Sequence, residues 1–426
     1  MSEVKPEVFA TIKSLFATKT RRRLFENFLS LSFLQFANYI FPLITLPYLV
    51  RVLGPEKYGL IAFAQAFIGY FQILTDYGFN LSATIEISIN RENKEKVSEI
   101  FSSVMIIKFF LLLLSLGLMS IIVFSFKKFS QDWLIYYLTF GMVLGQTLFP
   151  IWFFQGMERM RYITFLNVLA KLIFTIAIFI FVKRSSDYFY VPLLNSLGFI
   201  VAGVLALWIV FRDFEVNFKI GGLSISYYLK DGWNVFISRI YAALYTNFNI
   251  LLLGIITNNI IVGYYSAVEK IVSGISSIYY IINQVIYPYM SRLKKHNLLK
   301  FSKKAVVYYI LFFIPLALVI AISSHIIVKF MIGQYIRDVQ IIFLILLFSI
   351  VTNGIGGLVT QVLIILKKYK EFNQILFATA ILNGCISPFA IYILQGIGLA
   401  ISVILIQFFV ISMCLRQIYK EYIIGE

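Results

Sequence analysis

Six ionisable side chains fall inside stretches that are otherwise apolar: Asp76, Lys108, Lys171, Arg239, Glu269 and Lys270. A charge at membrane depth is costly unless paired or hydrated, so such residues mark interior surfaces, pathways or relays. Arg239, in WNVFISRIYAALYTNFN, offers forked donors that suit phosphate oxygens. Its alternatives are snorkelling toward a helix end or a structural ion pair. Lys171 lies midway along its apolar run on a face with Asn167 and Thr175, which reads as a cavity wall or as an interhelical hydrogen bond. Glu269 and Lys270 are adjacent, about 100° apart on a helix, and can flank one wall without facing one point. Asp76 and Glu269 are candidates for binding a proton or Na⁺, the alternative being a charge partner for Arg239 or Lys270. Lys108 reads as a snorkelling lysine near a span end.

The elements that must position these groups begin with a hydrophobic hairpin at 42–80, in which PYLVRVLGPEKYG turns the chain between two apolar runs. On its second arm Gln65, Gly69, Gln72, Asp76 and Asn80 recur at steps of four, three, four and four, so one helical face is polar. A lipid-facing helix would not carry that stripe, so it predicts a polar interior. A similar stripe, Asn234, Ser238, Tyr241, Tyr245 and Asn249, runs beside Arg239. The hairpin returns later in the chain: a shift of 204 residues lays Gly59 on Gly263, Gln65 on Glu269 and Gln35 on Arg239. A shift of 212 lays Asn167, Lys171 and Thr175 on Thr379, Asn383 and Ser387. Two tandem halves follow, 1–220 and 221–426, joined by RDFEVNFKIGGLSISYYLK.

Of 426 residues 60% are hydrophobic and 13% charged, with a mean hydropathy of +0.87, which excludes an ordinary soluble domain. Twelve spans are predicted: 27–50, 58–84, 101–124, 133–154, 162–182, 188–211, 233–256, 261–288, 305–328, 339–366, 372–394 and 397–417. With the N-terminus inside, about 25 of the 37 Lys and Arg fall on cytoplasmic segments and about 8 on external ones, which puts both termini in the cytoplasm. The net charge of +17 is thereby a topology signal with some attraction for anionic membrane lipids, and no nucleic-acid partner is expected. The basic N-terminus lacks a cleavable signal. Cys385 and Cys414 lie apart in apolar segments, so neither a disulfide nor a metal site is expected. No loop could house a catalytic domain, and no phosphate-binding or dinucleotide motif is present, so neither catalysis nor a cofactor is expected. Pro42, Pro47, Pro288, Pro315 and Pro388 are expected kinks.

Four phrases in order, PYLVRVLGPEKYG with YFQILTDYGFN, WFFQGMERMRYITFLN, VGYYSAVEKIVSGI and QVIYPYMSR, resemble the Wzx-type polysaccharide repeat-unit flippases of the multidrug/oligosaccharidyl-lipid/polysaccharide exporter superfamily. The resemblance implies an all-α integral membrane protein with about twelve transmembrane helices in two pseudo-symmetric six-helix bundles around a central cavity. It also implies an undecaprenyl-type diphosphate-linked oligosaccharide, carried to the periplasmic leaflet of the bacterial inner membrane for O-antigen or capsule, beside a polysaccharide polymerase machinery. The substrate-binding candidates are then Arg239, Lys171, Lys270, Gln35, Asn38, Gln65, Gln72, Asn167, Tyr245 and Asn249, with Asp76 and Glu269 for the coupling H⁺ or Na⁺. The related peptidoglycan-precursor flippases generally have fourteen spans, two more than are counted here. The rival readings are a drug/cation antiporter of the same superfamily, disfavoured by the cationic excess within the spans, and a membrane polysaccharide polymerase.

Overall fold

The computed structural model describes residues 19–219, 224–246 and 248–423. Their first half forms α1 (Lys19–Asp76), α2 (Ser82–Asn90), α3 (Lys94–Ser125), α4 (Lys127–Ser130), α5 (Trp133–Leu148), α6 (Ile151–Gly156), α7 (Met160–Phe181), a 3-10 turn (Ser185–Phe189) and α8 (Tyr190–Asp213). The second half forms α9 (Ile225–Thr246), α10 (Phe248–Ile256), α11 (Asn259–Met290), α12 (Lys295–Ile322), α13 (Ser324–Ile332), α14 (Arg337–Ile365) and α15 (Tyr369–Ile423). There is no strand among the described residues. Hydrocarbon offers no partner to a bare peptide group, and a helix satisfies its backbone within itself.

Eight described helices are long and apolar enough to cross a membrane. Two of them, α1 and α15, break at Gly54 (φ 78°) and Gln395 (φ 49°), so each makes two passes. Helices α9 and α10, inclined to each other by 46°, are together long and apolar enough for one further pass. The 32-residue α11, richer in polar groups, completes the predicted twelve. The five prolines expected to kink the spans sit inside continuous helices, and the sharp breaks fall where φ turns positive. The second arm of α1 also stops at Asp76 instead of running to 84. Tyr77 (φ 48°) and Gly78 (φ 82°) turn the chain there, which leaves Asn80 in a turn and off the polar stripe.

The passes alternate, so the connections near Gly54, 126–132, 182–189, 257–258, 323–336 and Gln395 share one face of the bundle, here the hairpin face. The opposite connections form the terminal face. On the hairpin face α1 and α11 cross with their backbones in contact. A Cβ built on Gly59 would stand 1.8 Å from the Asn259 carbonyl oxygen, and one on Gly263 would stand 2.0 Å from that of Pro55. These glycines are the pair that the shift of 204 superposes. Helix α11 continues along the first arm of α1, where Gly274 lies under Leu43. Small residues likewise let α5 and α8 close up: Gly203 abuts the Gly145 carbonyl, and the Ser196 hydroxyl donates to that of Leu138 at 2.5 Å.

On the terminal face the connection after α8 is fastened to α3. The hydroxyls of Ser98, Ser102 and Ser103 accept from the backbone N–H of Asn217, Lys219 and Ser224 at 3.2, 2.9 and 3.3 Å. Lys94 pairs with Glu215 and holds that carboxyl below its ordinary range.

Gly59→Ala or Gly263→Ala should each lower stability by about 1–3 kcal/mol through overpacking of the crossing. Because both break one contact, the double variant should lose less than the sum. Gly117→Ala, with no atom within 4 Å of its Cβ position, should not destabilise. Thermal unfolding of the purified protein in detergent checks all four.

Candidate functional site

The polar stripe of α1 reaches the terminal face at Asp76, which is 7% exposed. The backbone N–H groups of Gly78 and Asn80 are directed at its carboxylate, yet Oδ1 makes no hydrogen bond. Two cations lie within electrostatic range of it, Lys108 of α3 and Arg239 of α9. The turn that ends the stripe also joins the two halves. The Tyr77 ring stacks on Phe236 at 4.8 Å and 18°, and Gly232 lies against the Tyr77 carbonyl. Asp76 therefore has a cation of its own half and one of the other within electrostatic range.

Lys108 does not snorkel: it is 2% exposed, on the buried face of α3 with Val104, Leu112 and Ser115. Removing one partner of a buried opposite-charge pair leaves the other uncompensated. Arg239 is exposed and makes no hydrogen bond among the described residues. A buried carboxylate of the first half, Asp76, lies within its electrostatic range.

Lys171 and Asn38 are brought together: Nζ donates to Oδ1 at 2.6 Å, linking α7 to the first arm of α1. Asn167, one turn away, donates to the Ile163 carbonyl at 2.8 Å. Lys171 and Asn167 line a small pocket between α7 and α8 with Asn195 and Phe174. In the second half the corresponding pair of helices carries a bond matched at one end, since the shift of 204 lays Asn38 on Ala242. Asn383 Nδ2, which the shift of 212 pairs with Lys171, donates to Asn249 Oδ1 at 3.0 Å. Ser387 donates to Asn383 at 2.7 Å and lies 3.1 Å from Ser402, so Asn249 belongs to a neutral, fully buried network.

Near the glycine crossing, the Lys270 ammonium lies 5.2 Å from the centre of the Tyr58 ring. Glu269, Gln35, Gln65 and Gln72 are half-buried. The side chain of Tyr245 lies outside the described residues. The candidates thus do not converge on one point. Asp76 and Arg239 gather at the terminal face, Lys171, Asn38 and Asn167 lie within the first half, Asn249 lies within the second, and Lys270 lies beside the crossing.

A family model described as polysaccharide biosynthesis protein matches residues 24–294. A protein of Escherichia coli (strain K12), provisionally named an O-antigen transporter, is 31% identical over 401 residues, covering 92% of this chain and 95% of its own. A protein of Shigella dysenteriae with the same provisional name is 27% identical over 288 residues, 66% and 70% of the two chains. Among solved structures, the lipid II flippase MurJ in an inward closed conformation aligns with a TM-score of 0.70 at 12% identity, covering 92% of this chain and 87% of its own. An inward-facing MATE multidrug transporter of the MOP superfamily aligns at 0.65 and 14%, covering 89% and 95%. At such identities the likeness to these two is one of fold.

Asp76→Asn and Lys108→Met should each lower stability by about 3–5 kcal/mol if the charges compensate one another in the buried site. The double variant should recover most of that loss, and a thermal double-mutant cycle reads the coupling. Additive losses would mean that Lys108 is compensated elsewhere.

Proposed function

Starting from a chain that belongs to the polysaccharide biosynthesis protein family, we propose that it is a transporter, not an enzyme, and that it carries a polyprenyl-diphosphate-linked oligosaccharide repeat unit across the bacterial inner membrane. The halves, 1–220 and 221–426, act as two six-helix lobes that alternately open a shared path to the cytoplasmic and periplasmic sides. Both termini lie in the cytoplasm, in keeping with the excess of Lys and Arg on that side. The terminal face is then cytoplasmic and the hairpin face periplasmic. The relatives named as O-antigen transporters support the saccharide, and a polysaccharide polymerase would receive it on the far side.

The observation that carries the reading is Arg239. It is exposed, a buried carboxylate of the other half lies within its electrostatic range, and it makes no hydrogen bond among the described residues. Lys171 is engaged by Asn38 and Lys270 by a tyrosine ring, which leaves Arg239 as the first cation to meet a diphosphate arriving from the cytoplasmic leaflet. Gln35, Gln65, Gln72 and Tyr245 supply weaker polar contacts to sugars, and the prenyl chain stays in lipid. Asp76, with Oδ1 free, and Glu269 are the groups that would take up H⁺ or Na⁺ as the path changes sides.

The test is leaflet sidedness of a polyprenyl-diphosphate-linked saccharide in proteoliposomes. The wild-type protein should accelerate crossing over empty vesicles. Arg239→Ala should slow it roughly 10- to 100-fold, the worth of a charge-assisted hydrogen bond, with Arg239→Lys intermediate. Asp76→Asn, measured on the folded protein that remains after its stability loss, should abolish dependence on an ion gradient. Unchanged crossing in Arg239→Ala would remove that residue from the path. Absence of any acceleration, together with uptake of small organic cations, would favour the antiporter reading.

A further inference from the structure

Two cations of the first half reach helix ends of the second half on the hairpin face. The last carbonyls of a helix have no intrahelical donor and carry the negative end of its dipole. Lys128, in α4, donates to the Gly254 carbonyl in the last turn of α10, and its ammonium lies 3.5 Å from the Ile255 carbonyl and 3.4 Å from that of Thr257. The Phe63 ring holds it from beneath: Lys128 Nζ is 5.6 Å from the ring centre, and that ring sits where a Cβ on Gly254 would be. On the other side Arg51, at the end of the first arm of α1, donates to the Phe330 carbonyl in the last turn of α13. Its guanidinium lies 4.9 Å over the Phe330 ring, and α13 closes there on Gly333 in the left-handed conformation.

We propose that Arg51 and Lys128 form a two-point clasp that holds the hairpin face shut, and that transport requires both to let go. The inference rests on the reading of two moving halves. The choice of acceptor suits a contact made and broken in every cycle. A carboxylate left behind would be an unpaired charge, whereas a helix-end carbonyl is rehydrated by water when the cation leaves. A receiving site for Lys128 lies alongside. An open cleft of about 580 Å³ on this face, lined by apolar residues such as Leu60 and Phe63 and by Lys127, Lys128, Glu56 and Asp132, puts two carboxylates in the same cleft as the released ammonium. Each cap is partly exposed and so contributes a modest bias: about 2- to 5-fold in the open-to-closed ratio, and about 3- to 30-fold for the two together.

Spin labels at Gln131 in the first half and Lys329 in the second, both exposed on this face, read the opening as a distance. Cys385 and Cys414 are replaced by serine, and the full-length protein is studied in lipid nanodiscs. Arg51→Ala and Lys128→Ala should each raise the long-distance fraction by the stated factor, and the double variant should raise it further. Two distances in the wild type, with a ratio unmoved by the double variant, would overturn the clasp and leave the moving halves intact. A single short distance in every protein would overturn both, since the halves would not part at this face.

Discussion

Bare backbone meets bare backbone where 55–59 of the first half crosses 259–263 of the second, and neither Gly59 nor Gly263 has room for a methyl group. Between helices in lipid the apolar contact itself gives little drive, since the tails are as apolar as the side chains they would replace. Dispersion at close approach carries more of the association, and it falls steeply with any gap. The other contacts between the halves on this face are arranged about the crossing: Phe63 against Gly254, Lys270 over Tyr58, and the two cations that cap α10 and α13. Widening the crossing would withdraw all of them together, so the sealing of this face is cooperative. The terminal face is held differently, by an aromatic stack of Tyr77 on Phe236 and a three-charge arrangement in which Asp76 has cations from both halves.

The order and number of passes were legible because each is an apolar run of spanning length, and the tandem arrangement showed in matched polar positions. The breaks at Gly54 and Gln395 fall in the gaps predicted between spans, 50–58 and 394–397, whereas the stop after Asp76 was not legible. Prolines announce themselves in sequence, but Pro42, Pro288 and Pro388 are absorbed inside helices. The chain turns at Gly54, where glycine takes positive φ at no steric cost, and at Tyr77 and Gln395, where no glycine marks the turn. The stripe gave Asp76, and its spacing to Asn80 was misleading because helical phase ends once the helix does. Lys108 was misjudged from its depth alone. Its phase, four residues from both Val104 and Leu112, places it on the buried face of α3, and phase outweighs distance to the helix end. Arg51, in the RVLG turn, reads from sequence as a helix-capping or loop-holding residue, whereas the cap at Lys128 could not be read, since its acceptors are backbone carbonyls and carry no residue signature.

Neutral groups hold four of the cations: an amide for Lys171, a ring for Lys270 and carbonyls for Arg51 and Lys128. Such partners stabilise a charge without cancelling it. The interior therefore keeps a positive bias, and Arg239 stands at its edge.

The Lys171 bond and the Asn383 bond differ in that respect. Asn383 to Asn249 is neutral, while Lys171 to Asn38 places an uncancelled charge midway along a transmembrane helix. A membrane voltage acts on the second bond and not on the first, with about 2.3 kcal/mol per elementary charge for each 100 mV crossed. A rocking motion that carried Lys171 through a tenth of the field would be tilted by about 0.2 kcal/mol per 100 mV, always in one direction. The divergence of one polar bond between two otherwise parallel halves makes the pair electrically lopsided, with the first half alone sensing the polarity of the membrane through it.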